Sequence, residues 1–158
     1  MLEGDLNDVT PLERAAAIFL TRTMLGFVYL FAGMHKLLDP GVLEFGRQWA
    51  VSQASQLLPG ALLMAVGTLT PLIELVLGGL LLLGLWTRPV LRCLVVLIVG
   101  IAVAYGVAGL MRPMGPTAMD ITVVNFYILP RAALVMVNLF LSVEDDRFSI
   151  DGLMRNPV

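Results

Sequence analysis

Four apolar stretches, each long enough to cross a lipid bilayer and most of them ended by proline and glycine, constrain this chain more than any other feature. They run over 13–38, 60–86, 89–111 and 121–143. A hydrocarbon core of about 30 Å takes about 20 helical residues to cross. Inside it every backbone N–H and C=O must be paired within the protein, which selects helices for such stretches. Composition agrees: 58% of the residues are hydrophobic and 14% are charged, against about 25% charged in a soluble domain. The predicted fold is all-α, a single integral membrane domain over residues 1–158. We expect a four-helix bundle of up-down topology, with an interfacial segment between the first and second spans.

The ends of the spans carry local signals. Thr10-Pro11-Leu12-Glu13 combines an N-cap threonine, a proline at the first helical position and a capping-box glutamate. Asp39-Pro40-Gly41 stops that helix. Trp86-Thr87-Arg88-Pro89 makes a tight turn, so the second and third spans are antiparallel neighbours, and Arg112-Pro113-Met114-Gly115-Pro116 ends the third. The connection from Asp39 to Pro59 holds Phe45, Arg47 and Trp49 before the polar run 52–56. It reads either as a short interfacial helix with Trp49 at headgroup depth or as an ordinary surface loop.

Charge and cysteine content narrow the function classes. The net charge of -2 offers nothing to a nucleic acid. Cys93 is the only cysteine, so an internal disulfide and a thiolate metal cage are excluded, and it reads as a small core hydrophobe. The acidic N-terminus lacks the basic start of a secretory signal, so the first helix is expected as a retained anchor. Near the span ends, Arg14, Arg88, Arg92, Arg147 and Arg155 lie on one side and Lys36, Arg47 and Arg112 on the other. That bias places both termini in the cytoplasm. The expected location is the bacterial cytoplasmic (inner) membrane, as a multi-pass protein.

Two ionisable residues stand where lipid-facing chemistry forbids them. Glu74 lies inside the second span and Arg131 inside the fourth. Such groups cost at least ~2.5 kcal/mol each at mid-bilayer, so they face a protein interior and a partner. Each lies 12 residues from its span's cytoplasmic end, about 18 Å deep at the helical rise. The two spans run in the same direction, so the side chains can meet at one level. Arg22 is a third candidate for the cluster, lying on one face of the first span with Gly26, Tyr29, Gly33 and Lys36. Two readings remain open. The cluster is a fixed ionic clamp, or it lines a cavity for a polar headgroup, a quinone or a proton. In the second case Glu74 carries the proton, Arg131 or Arg22 holds a carbonyl oxygen, and Tyr29 or Tyr127 donates a hydrogen bond. Pro71 and Pro130, just before the two charges, free carbonyls at that level and favour a local cavity.

The spaced glycines of the first span, Gly78-Gly79 of the second and Gly100/Ala104/Ala108 of the third are expected to bring helices into close contact. The single histidine, His35, sits beside Lys36 at the end of the first span and is a weak candidate metal or haem ligand that reads more simply as a boundary residue. No carboxylate–histidine cluster has metal-site spacing. No nucleotide-binding glycine motif or nucleophile constellation is present.

The stretch from Arg22 to Lys36 (RTMLGFVYLFAGMHK), the stretch from Glu74 to Arg88 (ELVLGGLLLLGLWTR), Asn125, and the tail DRFSIDGL from Asp146 to Leu153 together cover most of the chain. In this order they resemble the DoxX family of small four-helix bacterial membrane proteins. The third span lacks the histidine that this family often carries, and Arg131 is foreign to its pattern. The resemblance implies a membrane protein near the quinone pool, akin to the small subunit of a thiosulfate:quinone oxidoreductase.

The function expected from these readings is an accessory subunit that stabilises or anchors a larger membrane complex of redox or electron-transfer type, without catalysis or cofactor of its own. The alternative is a quinone-site subunit of a quinone-reducing oxidoreductase, with quinone as its ligand. A second alternative is a small transporter or channel, which an oligomer of this chain could form. The expected partners are the lipid bilayer and that larger complex. The acidic tail Glu144-Asp145-Asp146 is either a contact for it or a solvated end.

Overall fold

The computed structural model describes residues 10–52, 59–111, 128–140 and 148–155. Six helices account for nearly all of them: α1 (Pro11–Leu38), α2 (Val42–Ser52), α3 (Gly60–Leu83), α4 (Thr87–Met111), α5 (Leu129–Phe140) and α6 (Ile150–Arg155). Three are long and apolar enough to cross a membrane, over Pro11–Leu38, Gly60–Leu83 and Thr87–Ala104. The expected fourth span is described only over α5, 12 residues and short of a full crossing. Over the described residues this membrane protein is all-helical, with three membrane-length helices. Asn125, Tyr127, the polar run 53–56, the Arg112–Pro116 stop and the acidic tail at 144–146 lie outside the described residues.

Helix α1 begins as its sequence dictates. Thr10 Oγ1 accepts from the Glu13 backbone N–H at 3.3 Å, and Glu13 Oε2 accepts from the Thr10 N–H at 2.8 Å. This reciprocal pairing satisfies two donors that a helix start leaves open. The helix stops at Asp39, whose peptide bond to Pro40 is cis.

Glycines fix how α1 meets α3. A Cβ at Gly33 would lie 2.7 Å from both Leu75 N and Pro71 O, and one at Gly78 would lie 2.5 Å from Leu30 N and 2.8 Å from Gly26 O. The two backbones touch at both levels, and the pairing of low numbers with high makes the helices antiparallel. Gly79 and Gly100 have nothing within 4 Å of such a Cβ. Of the doublet only Gly78 is a contact, and the expected contact stripe on α4 is open at Gly100, which is exposed. The buried face of α4 consists of Val90, Leu91, Leu94 and Ile98 instead. Cys93 falls off that stripe and is exposed, which corrects its expected place in the core.

The segment after α1 is a helix. Its Gly46 packs against Gly67 of α3, where a Cβ on Gly67 would come within 3.0 Å of Gly46 Cα and 3.2 Å of Trp49 Cβ. Helix α5 packs against α1 and α4, and the shared core holds Leu25, Tyr29, Leu81, Leu94 and Val135. Large apolar side chains such as Phe31, Val96 and Val103 point outward, as they must where the surrounding solvent is lipid.

The α3–α4 turn, the start of α1 and the tail meet at one end of the molecule. Gly84 adopts the left-handed conformation (φ 66°) and closes α3, with the Leu85 N–H returning to Leu80 O at 2.9 Å. A side chain at Gly84 would strike Ser149 Cβ at 2.5 Å. Ser149 caps α6 by accepting from the Gly152 N–H at 2.9 Å. Asp151 accepts from the Thr87 N–H, the first of α4, at 3.0 Å, while its own N–H donates to Gly84 O at 3.1 Å. A carboxylate at that helix N-terminus also meets the positive end of its dipole.

Candidate functional site: a buried ion cluster

Glu74 projects from the middle of α3 with its side chain fully buried. Gly33, opposite it on α1, removes the bulk that would otherwise hold the helices apart there. One turn further along α1, Lys36 turns its side chain back into the protein, and its Nζ lies 2.5 Å from Glu74 Oε2. Long basic side chains near a helix end can run along apolar surface in this way, here inward rather than toward water. The other oxygen, Oε1, faces the Arg131 guanidinium of α5 at 3.6 Å. Three helices thus converge on one carboxylate.

Aromatic rings complete the cluster. The Arg131 guanidinium sits 5.3 Å from the Tyr29 ring centroid, and the Lys36 ammonium 5.2 Å from that of Phe45 on α2. Both arrangements place a cation over a ring face, where the quadrupole attracts it. Tyr29 itself is buried, and its hydroxyl has no hydrogen-bond partner among the described residues. Lys36 and Arg131 reach the surface in part, with side chains 22% and 17% exposed.

Of the residues named from sequence, Glu74, Arg131 and Tyr29 come together here, and Tyr127 lies outside the described residues. Arg22 is placed elsewhere. Its Nη1 donates to Leu81 O, and to Leu82 O at 3.2 Å. Leu81 is seven positions beyond Glu74, about 10 Å along the helix. The reason is positional: α1 and α3 are antiparallel, so Arg22, near the start of α1, meets the end of α3. There the last carbonyls of a helix lack internal partners. His35 is exposed in the last turn of α1, and among the described residues no group of three or more His, Cys, Asp and Glu is placed to hold a metal.

Two polar residues escaped the sequence reading. Lys36 shares the first-span face in the sequence but counts there only as a charge near the span end, two positions from the helix terminus. The signal that marks it is its place on the α1 face of Tyr29 and Gly33. Asn138 is buried on α5, donates to Leu134 O at 2.8 Å and lies 3.3 Å from Thr21 Oγ1 on α1. No spacing in the sequence distinguishes it.

A set of apolar helices closed around one carboxylate and two cations defines a helical membrane protein. Within that class the chain belongs to the MauE family, described as methylamine utilisation protein MauE, whose family model matches residues 14–117, about two thirds of the chain. No curated protein and no solved structure matches it. This finding overturns the resemblance to DoxX. Many of the residues that suggested it are packing and capping devices: Gly26, Gly33 and Gly78 set a helix contact, and Gly84, Ser149 and Asp151 close helix ends. Any small bundle of this kind needs such devices, so they do not separate one family from another. Asn125 and the tail lie beyond the matched residues altogether.

Proposed function

We propose that this chain is an accessory membrane protein of a methylamine-utilisation system, which stabilises or anchors a redox complex of that system without chemistry of its own. The family membership supports the system. The observation that carries the accessory role is the closure of Glu74 by Lys36 and Arg131. A carboxylate held from both sides ties α1, α3 and α5 together, and the buried charge specifies how the helices pack. The protein sits in the inner membrane with both termini in the cytoplasm. The shared position of Arg14, Arg88, Arg92 and Arg155 at the end where α1 starts, α3 meets α4 and the tail docks supports that orientation.

Purification from native membranes in mild detergent, with mass spectrometry of the co-purifying proteins, tests the proposal. A redox enzyme of amine oxidation in fixed ratio to this chain is the expected result, together with slowed growth of a deletion strain on methylamine and normal growth on other carbon sources. A chain that purifies alone and whose deletion leaves growth on methylamine unchanged would overturn it.

A further inference from the structure

Two polar atoms of the ion cluster are left over. Tyr29 is 1% exposed and Glu74 0%. Among the described residues neither the Tyr29 hydroxyl nor Glu74 Oε1 has a hydrogen-bond partner. Arg131 faces Oε1 at 3.6 Å, an ion-pair distance beyond hydrogen-bond reach. Lys36 is bonded to the other oxygen, Oε2. Buried polar atoms are almost always satisfied, and each that is not calls for an explanation.

The two atoms are opposite in kind. The carboxylate oxygen accepts, while the hydroxyl has a proton to give. They flank one group: the hydroxyl belongs to the ring 5.3 Å from the Arg131 guanidinium, and the oxygen to the carboxylate which that guanidinium faces. Yet they do not bond each other. A guest that satisfies both must accept from Tyr29 and donate to Glu74. A further cation is repelled by the two already at the carboxylate. An anion brings negative charge against Oε1 and has no proton for it. An ether or ketone oxygen serves Tyr29 alone, and an apolar group serves neither. An aliphatic amine is protonated at neutral pH and so counts as a cation. A neutral hydroxyl accepts and donates through one atom.

We propose that the Tyr29 hydroxyl and Glu74 Oε1 form a binding site for a neutral hydroxyl group, held between the donor of α1 and the acceptor of α3. Lys36 and Arg131 keep their places and only fix the carboxylate. Two sources share this chemistry: a buried water, and an alcohol or phenol that reaches the cluster past the partly exposed Lys36 side chain. The site goes beyond the accessory role and stands without it.

The test uses the full chain in a neutral detergent. Melting is followed with 1-octanol and with an equal concentration of its methyl ether, which accepts a hydrogen bond but has none to give. The wild type is expected to melt higher with the alcohol than with the ether. Tyr29→Phe keeps the ring beside Arg131 and removes only the hydroxyl. It should melt at or above the wild-type temperature without additive, yet lose half or more of the alcohol's advantage. A crystal structure of the alcohol-free protein, fine enough to show ordered water, separates the sources. A peak within hydrogen-bond distance of both atoms, with no advantage of alcohol over ether, assigns the site to water. An advantage that Tyr29→Phe leaves undiminished, or no advantage and no such peak, overturns the proposal.

Discussion

Lys36 Nζ and Glu74 Oε2 lie 2.5 Å apart although 38 positions separate them in the chain. The contact exists because α1 and α3 run antiparallel with glycines at their interface, which sets the end of one helix beside the middle of the other. Glycine contacts alone tolerate a slide along the helix axis. A buried carboxylate with one cation on each oxygen does not, since a shift of one turn leaves an unpaired charge in low dielectric.

Removing the carboxylate should therefore cost more than losing one surface ion pair. Glu74→Ala leaves two cations facing each other, and we expect a loss of about 3–5 kcal/mol in unfolding free energy. Combining Glu74→Leu with Lys36→Met should recover at least half of it. Glu74→Leu with Arg131→Leu should recover less, because Lys36 makes the closer contact. Reversible unfolding in mixed detergent measures all of these. If the double variants are no more stable than the worse single ones, the groups are not coupled.

The two glycines of the doublet should behave oppositely. Gly78→Ala pushes a methyl group into the backbone of α1, and overpacking of that kind costs about 1–3 kcal/mol. Gly79→Ala meets nothing and should be neutral or stabilising by up to about 1 kcal/mol through helix propensity. Equal effects of the two on the melting temperature would show that α1 and α3 do not touch at Gly78.

Arg22 offers a test of its separation from the ion cluster. Arg22→Met removes charge-assisted bonds to Leu81 O and Leu82 O, worth about 1.5–3 kcal/mol. Its effect should add to that of Glu74→Gln within about 0.5 kcal/mol, as distant sites do. A larger interaction energy in that double-mutant cycle would put Arg22 back with Glu74.

The tail contributes through two caps. Asp151→Ala deprives the first N–H of α4 of its acceptor, and Ser149→Ala does the same to the Gly152 N–H of α6. Each should cost about 1 kcal/mol. Limited proteolysis should then cut the tail faster than in the wild type, and an unchanged cleavage rate would mean that the caps do not hold it.

Some of this protein is written in single residues and their near neighbours. The apolar lengths of α1, α3 and α4, the Thr10–Glu13 box, the Asp39 stop and the existence of a tight turn between α3 and α4 follow from burial, capping and backbone conformation, which act within a few positions and can be read along the chain, although α3 ends at Gly84, two residues before the Trp86 expected. The meeting of Glu74 and Arg131 could also be anticipated, since depth follows from helical rise and direction from the order of the spans. Other features belong to the tertiary structure alone. Lys36 as the main partner of Glu74, Arg22 at the end of α3, the outward-facing Cys93 and Gly100, and the Tyr29 hydroxyl that has no partner among the described residues depend on the rotation and offset of one helix against another. Those two quantities arise from side-chain packing across the whole interface, and no local stretch of sequence contains them.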